Sequence, residues 1–187
     1  MSTDAFTLAS QALKAAVERA LVGTTATVGL ADPSQGTGNR VSVWLYQVGV
    51  DEYGRNAQPA AADDRAAARR RAALPPLGVN LHYLITPVFD RPEADQQALA
   101  RIMLGLYENS VLGVFEPEAG TNDQVRVSPV PDPLDDRARL WEALGKPYRL
   151  CTCYLVRTVR LSSRRTVPVA PVATTVTGIP GGQPSRG

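Results

Sequence analysis

Pro133-Leu-Asp-Asp-Arg-Ala-Arg-Leu-Trp-Glu-Ala-Leu-Gly145, running on into Lys146-Pro-Tyr-Arg-Leu-Cys-Thr-Cys-Tyr-Leu-Val-Arg-Thr-Val-Arg-Leu161, is the stretch whose reading decides the fold. Leu134, Leu140, Trp141 and Leu144 fall on one face at helical spacing. Pro133 sits near the first turn, Asp132 is placed to cap it and Gly145 to end it, so a short amphipathic helix is predicted. The period then changes to two. Leu150, Thr152, Tyr154, Val156 and Thr158 point one way, and Cys151, Cys153, Leu155, Val159 and Leu161 the other. The run from Tyr148 to Leu161 therefore predicts a long strand, apolar on both faces, covered on both sides by its own domain or a neighbour.

Working outward, Arg40 to Val48 alternates Val41, Val43 and Leu45 against Ser42, Trp44, Tyr46 and Val48, a second two-faced strand. Leu77 to Val88 reads as a third, with Val79, Leu81, Tyr83 and Ile85 on one face. Thr24 to Leu30 suits a short strand, followed by a Gly/Asn-rich loop. Phe6, Ala9, Leu13, Val17, Ala20 and Leu21 form a helical stripe from Asp4 to Val22 that Gly23 ends. A second helix is expected after Asp90 as cap, with Glu93 reaching back and Leu99, Ile102, Met103, Leu106 and Tyr107 on its apolar side. Val111 to Asn122 reads as loop and Gln124 to Val127 as a short strand. The order predicts an α+β fold: a single domain over 1–161, with about three helices on a mixed, mainly antiparallel sheet. The expected core anchors are Trp44, Leu81, Tyr83, Leu140, Trp141, Tyr148 and Tyr154.

Two segments stand apart. Val50 to Pro76 carries no strand signal and is far longer than a usual connection, so an excursion is expected, with Arg65, Arg69, Arg70 and Arg71 on a surface helix or arm. Residues 162–187 alternate Val with Pro and read as an extended C-terminal arm. Arg164, Arg165, Val167, Val169 and Val172 are its candidate contacts with a partner protein or a neighbouring subunit. The arm is expected to be disordered until it adds as a strand to a partner.

The 187 residues, 44% hydrophobic and 20% charged, suit one soluble globular core. No stretch is long and apolar enough to span a membrane, and the N-terminus lacks a secretory pattern, so a cytoplasmic start is expected. Ahead of residue 162 there are 17 basic and 18 acidic residues, a balance that disfavours nucleic acid as a partner. His82 is the sole histidine, in a strand, and reads as a half-buried structural group. Cys151 and Cys153 share a strand face roughly 7 Å apart, poor for a disulfide and outside zinc spacing, and read as buried thiols. Gly36-Thr-Gly38 lacks the third glycine of a dinucleotide loop. Asp63-Asp64 and Asp135-Asp136 read as solvated helix faces. No catalytic, metal or cofactor constellation emerges, which argues against an enzyme.

Trp44-Leu-Tyr-Gln47, Pro75-Pro-Leu-Gly-Val-Asn-Leu-His-Tyr-Leu-Ile-Thr86, Leu106-Tyr-Glu-Asn-Ser-Val-Leu112 and Leu140-Trp-Glu-Ala-Leu-Gly-Lys-Pro-Tyr148 occur in this order. Together they resemble a family formerly known as a domain of unknown function. It is associated with the cap, or tail-terminator, proteins of phage-tail-like contractile injection systems. The resemblance runs from about Phe6 to Ser163; the Ala/Arg-rich excursion departs from it. It implies a structural protein without cofactor, forming a six-fold ring on the inner tube and sheath of a particle assembled in the cytoplasm and open to release. Strands with Trp44, Tyr46, Tyr83 and Tyr154 are expected to leave apolar surface for such a ring. The alternatives are a phage-type tail-completion or connector protein that binds the tube alone, and a small enzyme or nucleic-acid binder acting through the Arg-rich arm.

Overall fold

Alternating strands that are apolar on both faces need cover on both sides, and the chain supplies it unequally. The computed structural model describes residues 4–35, 38–51, 71–73, 76–116, 121–131, 133–161 and 166–168. In chain order the elements are α1 (Ala5–Ala20), β1 (Thr27–Gly29), β2 (Arg40–Val50), β3 (Arg71–Ala73), β4 (Leu77–Val88) and α2 (Pro92–Glu108). They continue with β5 (Val111–Glu116), β6 (Thr121–Pro129), α3 (Leu134–Ala143), β7 (Thr152–Leu161) and β8 (Thr166–Pro168). Six strands form one sheet in the order β1-β2-β4-β7-β6-β5, with β3 and β8 making a separate two-stranded ribbon. Among the described strands only β1 and β2 pair in parallel; the other pairs are antiparallel. The expected α+β architecture is the one observed.

The helices α1 and α2 cover one face of the sheet. Ala5, Ala9, Leu13, Ala16, Val17 and Leu21 bring the α1 stripe down onto Val41, Val43, Val79, Leu81, Tyr83, Ile85, Val125, Val127, Tyr154, Val156 and Val159. Ala98, Ile102 and Leu106 complete this core from α2. The two helices approach closely: a Cβ on Gly105 would lie 2.7 Å from the Cβ of Ala20, so the glycine is needed for the contact and not for its backbone angle. The hydroxyl of Ser10 donates to the Phe6 carbonyl at 2.8 Å, which leaves the buried Tyr83 hydroxyl to donate to Ser10 Oγ at 2.6 Å. Tyr83 has no exposure, and burial pushes its pKa up to about 12 despite the Ser10 contact.

The opposite face carries a smaller cluster of Leu84, Trp141, Cys151 and Cys153, with Trp44, Tyr46, Val130, Leu140 and Leu144 packed against it. Trp141 is the one buried residue of α3. Its indole N–H points at Cys151 Sγ, 3.4 Å away, and its ring meets Tyr148 edge-on at 6.2 Å. Both cysteines are buried thiols that form no disulfide.

Several expectations need correction. Val111 to Glu116 is a strand, not a loop: Leu112 and Val114 enter the core, and the segment pairs with β6 over its whole length. Strand β7 starts at Thr152 rather than Tyr148. Its side-chain alternation slips where two β7 residues oppose one on β4, between the pairs Val79↔Val159 and Leu81↔Val156. This bulge returns Val159 and Leu161 to the same side as Tyr154 and Val156. Met103, Tyr107 and Leu134 are exposed at 44%, 83% and 61%, outside the apolar faces assigned to them. Tyr148, expected in the core, sits at its rim with 45% exposure. The N-cap of α2 is Arg91, with Pro92 opening the helix and no side-chain cap from Asp90. The N-cap of α3 is Pro133, also without a side-chain cap. Strand β3 lies inside the expected excursion, so a surface helix there cannot run through Arg71–Ala73.

Candidate interaction surfaces

The residues expected to meet partners fall into two groups, and the ribbon brings their neighbourhoods together. Arg71, Ala72 and Ala73 pair with Pro168, Val167 and Thr166. The excursion and the C-terminal arm therefore meet in one chain, which the sequence treated as separate contacts. The start of the arm, Thr166–Pro168, is a strand paired within its own chain, contrary to the expectation that the arm pairs only with a partner. Arg65, Arg69, Arg70, Arg164, Arg165, Val169 and Val172 lie outside the described residues.

Tyr83 and Tyr154, expected to offer apolar surface to neighbours, are instead enclosed beneath α1 and α2. Cover on the other side is partial: Trp44 and Tyr46, their ring centroids 6.2 Å apart, pack against the α3 cluster, and Tyr46 meets the half-buried His82 edge-on at 6.1 Å. His82 thus has the structural setting read from the sequence. Among the described residues no group of three or more His, Cys, Asp or Glu is arranged to hold a metal.

At the β1 end of the sheet, polar contacts fasten loops to strand ends. Asp95, almost wholly buried, accepts the Phe89 backbone N–H at 2.8 Å and lies 3.4 Å from Arg149 Nη2. This contact ties the start of α2 to the chain entering β7, a role that no motif around Asp95 announced. Arg40 reaches the Pro33 carbonyl at 3.0 Å, and its guanidinium pKa is lowered by burial and then by the nearby Arg149. Asp32, held below its ordinary carboxylate range chiefly by the Ser34 hydroxyl, lies on the same loop. Burial opposes the Ser34 contact at Asp32, and the geometry is that of a turn fastened to a strand end. A cleft of about 470 Å³ between β6, α3 and β7 is lined by Val130, Pro131, Pro133, Arg137, Thr152 and Cys153. It is open and shallow, and it presents no convergent set of acid, base and nucleophile.

The largest departure from the sequence reading is at the β5 end. On the face away from α1 and α2, Val111 is opposite Arg126, and Arg126 is opposite Arg157. Gln124 and Asn122 continue the row on β6 beside Gly113 and Phe115. Val111 is 46% and Phe115 58% exposed, and Arg126, Arg157, Gln124 and Asn122 are exposed too. Reading Val111 to Asn122 as a loop hid this surface. The alternation of Leu112 and Val114 against Val111 and Phe115 was the available signal.

A family model described as the Pvc16 N-terminal domain matches residues 9–175. Among solved structures, the sheath/tube terminator of an extracellular contractile injection system, PVC, in its extended state is 24% identical with a TM-score of 0.65. The alignment covers 96% of this chain and 64% of that one. The tube-terminating cap of the anti-feeding prophage is 22% identical with a TM-score of 0.60, over 90% of this chain and 59% of that one. The chain thus spans less than two thirds of the length of either structure, and at these identities the likeness is one of fold. No curated protein matches the sequence significantly.

Proposed function

From the premise that this chain belongs to the Pvc16 N-terminal domain family, whose model matches residues 9–175, we propose that it is a structural cap that terminates the tube and sheath of a contractile injection particle. The observation that carries this reading is the family match over most of the chain. The shared fold with two terminator caps supports it. The role is one of protein contact, not catalysis. The cap acts as a ring of identical subunits, six in number, as the family resemblance implies. Open apolar surface at Met103, Leu104, Tyr107, Val111 and Phe115 supports self-association. The subunits assemble in the cytoplasm onto a particle that is later released.

The arm and the excursion are the proposed reach of the cap toward the sheath. Arg65, Arg69, Arg70 and Arg71 from the excursion and Arg164, Arg165, Val167, Val169 and Val172 from the arm supply the contacts. Pairing of β3 with β8 supports their acting as one unit. Electron microscopy of particles made with and without this protein tests the capping role. Particles lacking it are expected to carry tubes and sheaths of variable length with no density at one end; uniform, fully capped particles overturn the reading. Removing residues 169–187, which spares β8, tests the reach toward the sheath. Rings that still seat on tubes but release the sheath end are expected, and caps as stable as those of the full chain remove the arm from the contact.

A further inference from the structure

The six-stranded sheet ends in two edges that no described strand covers. On one side β5 pairs with β6 alone, so the other backbone edge of its six residues is open. On the other side β1 flanks β2 only at Arg40, Val41 and Ser42, which leaves residues 43–50 as the working edge of the sheet. We infer that these two edges join one subunit to the next: β5 of one copy pairs in parallel with residues 43–50 of a second copy, and the main sheet runs on from subunit to subunit. The inference rests on the ring proposed above and names the seam that holds it.

An open edge is a row of backbone N–H and C=O groups, and an extended chain is what meets such a row in register. Edges that stay single are guarded by lysine, proline, an inward charge or shortness. Neither edge here is guarded in that way. Residues 43–50 read Val-Trp-Leu-Tyr-Gln-Val-Gly-Val and β5 reads Val-Leu-Gly-Val-Phe-Glu, with the terminal Glu116 their sole charge. One bulge interrupts β2 between Leu45 and Gln47, and regular register resumes from Gln47 to Val50. Val48 and Val50 lie opposite the core residues Leu81 and Val79 and are nevertheless half-exposed, and Val111 and Phe115 are as open on the other edge. Gly49 and Gly113 have no atom within 4 Å of where a Cβ would stand, so a second backbone can approach at either edge.

A second copy of the chain fits these edges better than an unrelated strand. Successive antiparallel pairings of β2 with β4, β4 with β7, β7 with β6 and β6 with β5 leave β2 and β5 pointing the same way. Continuing the sheet by one subunit therefore sets β5 parallel to β2, the sense in which β1 already pairs with it. Side-chain alternation continues across the seam: Leu112 and Val114 of one copy join the helix-covered face with Val48 and Val50 of the next, while Val111 and Phe115 join the face of Trp44. Such a head-to-tail junction, repeated until it closes, occupies both edges of every subunit. A two-fold pair of β5 strands would leave residues 43–50 open.

The test guards one edge at a time in the full chain. Val48→Lys with Val50→Lys charges the β2 edge, and Val111→Lys with Phe115→Lys charges the β5 edge; melting curves verify that each variant folds. In sedimentation velocity at high micromolar concentration the wild type is expected to form a closed oligomer and each guarded variant a monomer, because a seam would desolvate the added ammonium groups. Mixing the two variants should restore dimers and nothing larger, since one intact β5 then meets one intact β2 edge. Amides within residues 43–50 and 111–116 should exchange with solvent more slowly in the wild-type oligomer than in either variant. The proposal is overturned if the wild type is monomeric, if either guarded variant still associates by itself, or if the mixture stays monomeric. Equal exchange at the edges, which would mean that the chain covers them itself, overturns it too. Particle assembly separates the seam from the capping role. Uniform capping by the wild type, with rings persisting in the guarded variants, removes the seam and keeps the cap; rings broken by the guards, beside particles that reach uniform length without the protein, keep the seam and remove the cap.

Discussion

The two faces of the main sheet solve the same problem differently. Under α1 and α2, many medium-sized residues share the burial: Leu13, Val17, Ile102 and Leu106 from the helices, and Val41, Val43, Leu81, Ile85 and Val156 from the strands. Under α3, one indole does most of it, with Leu84 and two thiols as its floor. The first face is a continuous core in which the loss of one side chain is shared by its neighbours. The second is a helix pinned at one point beside a half-face that no other described helix covers. Burial is complete where the fold must be made and partial where a partner can complete it.

The strongest way to break the comparison is at the pin. Trp141→Ala should cost about 3–5 kcal/mol, as large-to-small core changes do, and Ile102→Ala on the other face about 2–5. Denaturant unfolding measures both. A Trp141 variant that melts normally while particles fail to assemble would move Trp141 from the core to an interface.

Alkali should sharpen the comparison next, because Tyr83 belongs only to the first face. Its pKa rises from an ordinary 10.0 to about 12 in the folded chain. The folded state therefore holds the proton more tightly, so this contribution is intact below pH 10 and is lost as pH climbs toward 12. In that window stability should fall by about 1.4 kcal/mol per pH unit. Tyr83→Phe should lessen the fall when thermal melts are compared across pH, the remainder coming from Tyr154 and Tyr148, whose pKa values burial also raises. An equal fall in both proteins would place the effect elsewhere.

Smaller effects separate packing from surface. Gly105→Ala gains about 1 kcal/mol of helix propensity but forces α1 and α2 apart, which costs about 1–3. A net loss near 1 kcal/mol is expected in a thermal melt. Phe115→Ser, on the uncovered half, should change stability by no more than about 0.5 kcal/mol, as surface substitutions do. A large loss there would mean that the described half-face is covered within the chain.

Much of this was legible in the sequence because helix and strand periods separate cleanly where a face is buried. The α1 stripe, the inward set Val79, Leu81, Tyr83 and Ile85, and the pair Cys151 and Cys153 all followed from spacing. The rest failed for identifiable reasons. Strand β5 is short, interrupted by Gly113 and followed by Glu-Pro-Glu-Ala-Gly, so its local signals favoured a turn. The β7 bulge reverses an alternation that spacing alone carries straight on. Strands β3 and β8 have three residues each and no pattern of their own; they exist because distant parts of the chain meet. Arg126 and Arg157 are 31 positions apart in the numbering and became neighbours only through register. The candidate surface was therefore the least legible part of the molecule.

The ribbon of β3 and β8 has a mechanical consequence. Its Ala73 and Thr166 end lies within a few residues of Leu77 and Leu161, which are themselves paired in the main sheet, while its Arg71 and Pro168 end is the far one. Tension drawn through the arm along the ribbon passes down β8 toward β7, the next strand in the chain, whose pairs with β4 and β6 resist it. Tension that draws the arm and the excursion apart instead peels the ribbon from its far end, one pair at a time. The same three pairs are thus firm against a common pull and weak against a divergent one, which makes the direction of force, more than its size, the variable that opens them.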